Sequence, residues 1–384
     1  MNLYFDNAAT SFPKPREVHE AVLDYMVNVG TNPGRGAYSA ALSADRLVYT
    51  ARETIANFFN FSKPENVIFT LNITHALNIL IKGIIKPNWH VITTTMEHNS
   101  VLRPLNTLKK SINFELDILP CSLDGLLDID IFKNHIKTNT RLVIISHASN
   151  VVGTIQHISV IGNICKQRGI YLIIDGAQSC GSIPVDFKAL NCNALCFTGH
   201  KGLLGPQGIG GFLIGDDLNK EASTFYEGGT GSRSDSLEQP NFLPDKFECG
   251  TLNSPGIAGL LAGINYINSN GILTIQQKEE YLTDYFIEGI LNIKNITLLG
   301  TKNSKSKTSV ISIKHSSIDT AEFSFLLSDN YNIMTRSGLH CAPLAHKTIG
   351  TFPNGTIRFS FGFFHTKADL DFLLTSINTL SNNI

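Results

Sequence analysis

Between Asn66 and about Asp216, short apolar runs alternate with longer stretches whose apolar positions recur every three or four residues. A run too apolar to have a wet face reads as a strand covered on both sides, and the longer spacing reads as a helix with one buried stripe. Strands are predicted at 67–70, 90–94, 114–119, 142–147, 171–175, 194–198 and 211–214. Helices are predicted over 74–85, 99–110, 129–136 and 159–168, with Gly169 placed to stop the last one. This alternation predicts an α/β domain whose seven-stranded sheet is mostly parallel and covered by helices. From 226 to 255, Gly228-Gly-Thr-Gly-Ser232 and several prolines break any period, as in an ordered functional loop. Helices around 257–268 and 273–291 lead to strand 310–314, helix 320–330, strands 333–336 and 356–362, and helix 368–380, a smaller C-terminal α+β domain. The expected division is 15–260 for the large domain, with 1–14 and 261–384 forming the small one.

Composition narrows the function. With 42% hydrophobic and 16% charged residues the chain is too apolar to stay disordered, and its net charge of −1 gives no positive field for nucleic acid. No apolar stretch has the length of a membrane span and the first residues do not resemble a secretion signal, so a cytoplasmic location is expected. Seven cysteines, an odd number without framework spacing, point to thiols rather than structural disulfides.

Asp175 ends the apolar run Tyr171-Leu-Ile-Ile-Asp175, at the end of a parallel strand where such sheets bind ligands. By itself it is equally a turn aspartate capping the next helix. Lys201 sits in Thr198-Gly-His-Lys-Gly-Leu-Leu-Gly205, where glycines let the backbone approach a bulky group and apolar surroundings would free the amine of its proton. An isolated lysine in a loop is otherwise a surface charge. Thr198 and His200 can donate to a phosphate, as can Thr74 and the amides of Thr74 and His75 at a helix start. His98 can stack on a ring, and Asn150 and Gln178 can hydrogen-bond an oxygen substituent. A lysine for a Schiff base, an acid for a pyridine nitrogen and a phosphate seat are together what pyridoxal 5'-phosphate (PLP) requires.

Six motifs, Asp6-Asn-Ala-Ala-Thr10, Glu97-His-Asn99, Asp175-Gly-Ala-Gln178, Thr198-Gly-His-Lys201, Phe247-Glu-Cys-Gly-Thr251 and Arg336-Ser-Gly-Leu-His-Cys-Ala342, occur in this order. Together they resemble the cysteine desulfurase and selenocysteine lyase family of class V aminotransferases, from residue 4 to about 365. The resemblance implies PLP fold type I, a homodimer, and the cofactor bonded to Lys201. It implies that His98 stacks on the ring, Asp175 pairs with the pyridine nitrogen, and Asn150 and Gln178 approach the phenolic oxygen. Thr74, His75, Thr198 and His200 would take the phosphate, with Thr251 arriving from the other subunit. Ile73 stands where the family has a small residue and His75 replaces a glutamate, so the phosphate cup differs in detail.

Cys341 is the candidate nucleophile, favoured as thiolate by charge on Arg336, His340 or His346, and the resemblance makes it the persulfide-forming cysteine. Zinc at Cys341, His340 and His346 lacks a fourth ligand, and no metal is expected. Arg358, in the apolar strand Thr356-Ile-Arg-Phe-Ser360, needs an anionic partner. Either an internal ion pair or, as the resemblance implies, the substrate α-carboxylate supplies it. The same likeness sets Ala8, Asn150 and Arg336 beside the substrate. The implied reaction converts L-cysteine to L-alanine with sulfur left on Cys341, for passage to an acceptor protein. L-selenocysteine would suit the same residues, and a class V lyase, epimerase or transaminase would need Lys201 without Cys341.

Overall fold

The computed structural model describes residues 3–34 and 36–382. Helices α1 (Arg16–Asp24) and α2 (Ser39–Phe58) come before the main sheet. That sheet contains β1 (Val67–Thr70), β2 (His90–Thr94), β3 (Glu115–Leu119), β4 (Thr140–Ser146), β5 (Tyr171–Asp175), β6 (Ala194–Thr198) and β7 (Gly210–Ile214). Its helices are α3 (Ile73–Ile84), α4 (Asn99–Leu108), α5 (Ile129–Asn134), α6 (Ile158–Arg168) and α7 (Asp216–Glu221). The spatial order is β1-β7-β6-β5-β4-β2-β3, and only β7 runs against its neighbours.

Period-two alternation divides each strand between two cores. Val143, Ile145, Leu172 and Ile174 join α2 and α6 on one face, whereas Leu142, Ile144 and Ile173 join α3 and α4 on the other. Local signals set the helix ends. The Asn72 side chain accepts the His75 amide and starts α3, and Gly169, at φ 64°, closes α6 in the left-handed conformation.

Helices α8 (Ser254–Asn270) and α9 (Ile272–Ile290) follow the long irregular stretch. A second sheet then forms from β8 (Ile296–Leu299), β9 (Val310–His315), β10 (Arg336–Gly338) and β11 (Thr356–Ser360), covered by α10 (Thr320–Tyr331) and, after α11 (Pro343–Thr348), whose Ala345 packs with Val151 and Val152 instead, by α12 (Lys367–Asn382). Its order is β10-β11-β9-β8, antiparallel throughout. The core under it gathers Phe286, Phe323, Phe359 and Phe361 around Phe5 from the start of the chain. Helix α9 serves both cores, since Ile275 packs in the large one and Leu282 to Ile290 in the small one.

The main-sheet strands lie within two residues of their expected positions. The strand expected at 333–336 instead pairs with β11 over Arg336–Gly338. Residues before it bond to the chain start, with the Met334 amide donating to the Leu3 carbonyl and the Met334 carbonyl accepting the Phe5 amide at 2.9 and 2.8 Å. No sequence reading located α1, α2, α7, β8 or α11. The buried stripe of α2 is made largely of alanines (Ala41, Ala44, Ala51, Ala56), and β8 is a partly exposed edge, so both lack contrast.

Phe286 is fully buried with its ring centroid 5.3 Å from Phe359 and 5.2 Å from Phe361. Phe286→Ala is expected to destabilise the fold by about 3–5 kcal/mol, read as a lower denaturant midpoint for the transition that exposes the smaller core.

Candidate active site

The carboxyl ends of β4, β5 and β6 open into a cleft of 480 Å³ between the two sheets. Lys201 lies three residues beyond β6, in a loop pinned by the start of the chain. The His200 carbonyl accepts the Ser11 amide at 2.9 Å, Thr10 Oγ1 at 3.0 Å and Lys14 Nζ at 2.7 Å, while Ser11 Oγ donates to the Lys201 carbonyl at 2.9 Å. A glycine pair lets this loop sit tight. Gly181 is at φ +89°, and a Cβ there would fall 2.3 Å from the Gly202 carbonyl carbon. Burial, assisted by Arg358, pushes the Lys201 amine down to about 8. Asp175 opposes that shift.

Asp175 ends β5 and is 3% exposed, with Oδ1 accepting the Ala177 amide at 2.9 Å. Burial pushes its carboxyl up, against the Ala177 amide and Lys201. A second carboxyl lies beneath the site. Glu97 is fully buried and accepts Thr94 Oγ1 at 2.7 Å, the Ser146 amide at 2.8 Å and Ser146 Oγ at 2.7 Å. Burial pushes Glu97 up to about 8, which keeps a second negative charge away from Asp175 near neutrality. His98 caps α4, and its Nδ1 accepts the Ser100 amide at 3.0 Å. With burial lowering it to about 4, the ring is neutral and carries its hydrogen on Nε2. At the other end of the cleft, Thr198 Oγ1 and His200 Nδ1 are buried without partners, and Thr74 stands on the first turn of α3. Unused buried donors beside a helix N-terminus suit an anion.

Cys341 lines the cleft at its outer side and is exposed. His340 and Cys341 adopt φ of 46° and 58°, consecutive left-handed residues that need outside restraint. That restraint is present. Asn150 Nδ2 donates to the His340 carbonyl at 2.7 Å, the Asn99 amide donates to the Cys341 carbonyl at 2.8 Å, and His340 Nε2 meets Thr356 Oγ1 at 3.0 Å. The expected help from neighbouring imidazolium charge is corrected here, because burial lowers His340 to about 2 and His346 to about 4. Arg336 remains as the permanent cation of that group.

Arg358 is 2% exposed and is already paired, donating from Nη2 to Asp6 Oδ1 at 2.7 Å and from Nη1 to the Asn150 carbonyl at 3.0 Å. Its Nε has no partner. Arg336 is its register neighbour on β10, and both line the cleft. Two guanidinium groups on adjacent strands with one aspartate leave a positive excess, which a carboxylate ligand would neutralise.

A family model for class-V aminotransferases matches residues 3–373. The chain belongs to this family. It is 33% identical over 377 residues to a probable cysteine desulfurase of Methanothermobacter thermautotrophicus, an alignment covering 97% of this chain and 93% of that one. A probable cysteine desulfurase of Pyrococcus abyssi is 32% identical over 394 residues, covering 100% and 95%. Among solved structures, the apo cysteine desulfurase of Thermococcus onnurineus NA1 superposes with a TM-score of 0.93 at 31% identity, covering 100% of this chain and 95% of that one. The expected fold type I arrangement, a large mostly parallel sheet with a smaller α+β unit, is what the chain adopts.

All the class V site candidates named from the sequence line the cleft except two. The His75 amide is taken by the Asn72 cap, and its ring lies 5.3 Å from that of Tyr226, outside the cleft. Thr251 lies on a separate surface hollow with Tyr25, Met26 and Thr31. Sequence reasoning gave no individual role to Asp6, Glu97 or Ser100. The first two stand in the quoted motifs, and a polar residue two positions beyond a capping histidine was a local signal for the third.

In the ligand-free protein, reductive methylation of Lys201 followed by peptide mapping is expected to titrate near 8 instead of the ordinary 10.5. Asp175→Asn removes a negative charge that favours the ammonium, so the midpoint moves to still lower pH. A midpoint above 10 in the unmodified protein would show the amine to be solvated.

Proposed function

We propose that this chain is a PLP-dependent cysteine desulfurase that converts L-cysteine to L-alanine and keeps the sulfur as a persulfide on Cys341. One observation carries the reading: a desolvated amine, Lys201, and an exposed thiol, Cys341, line one cleft together with two arginines. The names of the relatives described above agree with it.

The residues present fit the cofactor. Unpartnered Thr198 Oγ1 and His200 Nδ1 suit its phosphate beside Thr74, Asp175 suits its pyridine nitrogen, and neutral His98 suits its ring face. Asn150 and Gln178 each keep a free amide hydrogen after serving His340 and Ala8, which suits an oxygen substituent. When bound through Lys201, PLP supplies an electron sink for the substrate carbons. Arg358 and Arg336 hold the substrate carboxylate. Once free, the Lys201 amine removes and returns protons at the substrate carbon, a task suited to a group titrating near neutrality. Cys341 thiolate attacks the substrate sulfur, so that an S–S bond forms as the C–S bond breaks. The electron pair of the broken bond stays with the carbon fragment, which takes up a proton and leaves as alanine.

Cys341 also lines an outer hollow with Lys82 and Arg103, so a persulfide there is within reach of a sulfur-acceptor protein. A homodimer is supported by the apolar residues Leu23, Met26 and Val27, 62–69% exposed near Thr251, which a second copy would cover while bringing Thr251 to the phosphate. The seven free thiols suit a reducing cytoplasm.

Borohydride reduction of the PLP-loaded protein is expected to place the label on Lys201. Cys341→Ala should keep the visible absorbance of bound PLP and lose alanine and sulfide production by at least about a hundredfold. Normal turnover by that variant would assign the cleft to a lyase or transaminase reaction.

A further inference from the structure

A buried ion pair lies outside the cleft, at the meeting point of α2, β1 and the irregular stretch before α8. Arg52 Nη1 and Nη2 donate in parallel to Glu248 Oε1 and Oε2 at 2.9 and 2.6 Å, and the two side chains are only 7% and 6% exposed. Glu248 Oε1 also accepts the Phe69 amide at 2.6 Å, Arg52 donates to the Val67 carbonyl, and its guanidinium lies 4.7 Å from the Phe69 ring centroid. Apolar residues of similar volume would hold α2 on β1 at least as well, because desolvating two charges offsets most of their attraction. What the fork adds is direction, since it fixes the Glu248 carboxylate in one plane and with it the local backbone.

Three residues later comes Thr251. Between them Gly250 turns the chain at φ +82° and donates its amide to the Gly229 carbonyl at 2.8 Å. Just beyond, Asn253 donates to the Gly208 carbonyl at 2.8 Å and accepts the Gly256 amide, starting α8. Thr251 is thus held from both sides, yet it is exposed and does not line its own cleft, lining instead the hollow beside Met26.

We propose that the Arg52–Glu248 pair sets Thr251 at the phosphate seat of the second protomer, so that Arg52 is a positioning residue for a cofactor site in the opposite chain. This rests on the reading of the protein as a homodimeric PLP enzyme. The competing role is local. Phe69 leads through β1 to the Asn72 cap and Thr74, so the same pair could steady the phosphate seat of its own chain instead.

Mixed dimers separate the two. One chain carries Lys201→Ala, leaving one site able to bond PLP, and Arg52→Lys, which keeps the charge but cannot fork, is placed in one chain or the other. Placed in the Lys201→Ala chain, it is expected to weaken PLP retention at the surviving site about tenfold, the scale of one charged hydrogen bond, read by dialysis against the absorbance of lysine-bonded cofactor. Placed in the chain that keeps Lys201, it should change retention by less than about twofold. Equal losses in both arrangements, or a loss only in the second, overturn the proposal. Thr251→Ala is run through the same pair of arrangements. If it too has no effect across the dimer, the homodimeric reading of the phosphate seat fails and takes this inference with it, whereas an effect of Thr251→Ala without one of Arg52→Lys defeats only the positioning role. Should Arg52→Lys not assemble, Glu248→Gln in the same two arrangements carries the same outcomes.

Discussion

Removing an amine from water is unfavourable for its charged form, and the cleft is organised around that fact at Lys201. The loop is held down by five hydrogen bonds from residues 10–14 to the His200 and Lys201 carbonyls, and Gly181 and Gly202 allow the backbone to close over it. Arg358 and Asp175 then act on the amine with opposite sign, and burial decides between them. A lysine left in solvent on the same loop would carry its proton throughout the physiological range and be a poor nucleophile.

The other charges in the site follow a related logic. Asp175 is the carboxyl at the end of β5 that lines the cleft, while Glu97, a short distance below, is kept neutral by complete burial and spends its oxygens on Ser146 and Thr94. His340 and His346, expected from the sequence as potential cations, are neutral for the same reason, as is His98. Permanent positive charge in the cleft therefore comes from the two arginines, which are aligned by the register of β10 on β11 and partly balanced by Asp6. Arg358 thus contributes both to that positive charge and to lowering the Lys201 amine.

Much of this arrangement was legible in the sequence because the central strands β4, β5 and β6 are apolar on both faces and end in polar residues, Ser146, Asp175 and Thr198. A buried parallel strand has little freedom to start or stop elsewhere, so the chemistry at its end is placed with it. Weakly patterned elements were not legible. The alanine stripe of α2 and the half-wet edge strand β8 carry little contrast between faces, and the pairing of Asp6 with Arg358 joins positions too far apart in sequence to carry a local signal. Protonation states were equally hidden, since the burial of His340 depends on β11 and that of Glu97 on Ser146, both distant in sequence.

The threading of residues 4–14 through both halves of the molecule has a consequence for biosynthesis. Asp6 and Ala8 bond to Arg358 and Ser360, more than 350 positions away, while Thr10 and Ser11 bond to the lysine loop. A nascent chain still lacking β11 has no partner for the Asp6 carboxylate or the Ala8 amide, although Thr10, Ser11 and Lys14 can already fasten the lysine loop once the main sheet has formed. The arginine end of the cleft is thereby completed only after β11 has been made, whereas the lysine loop is fastened without it.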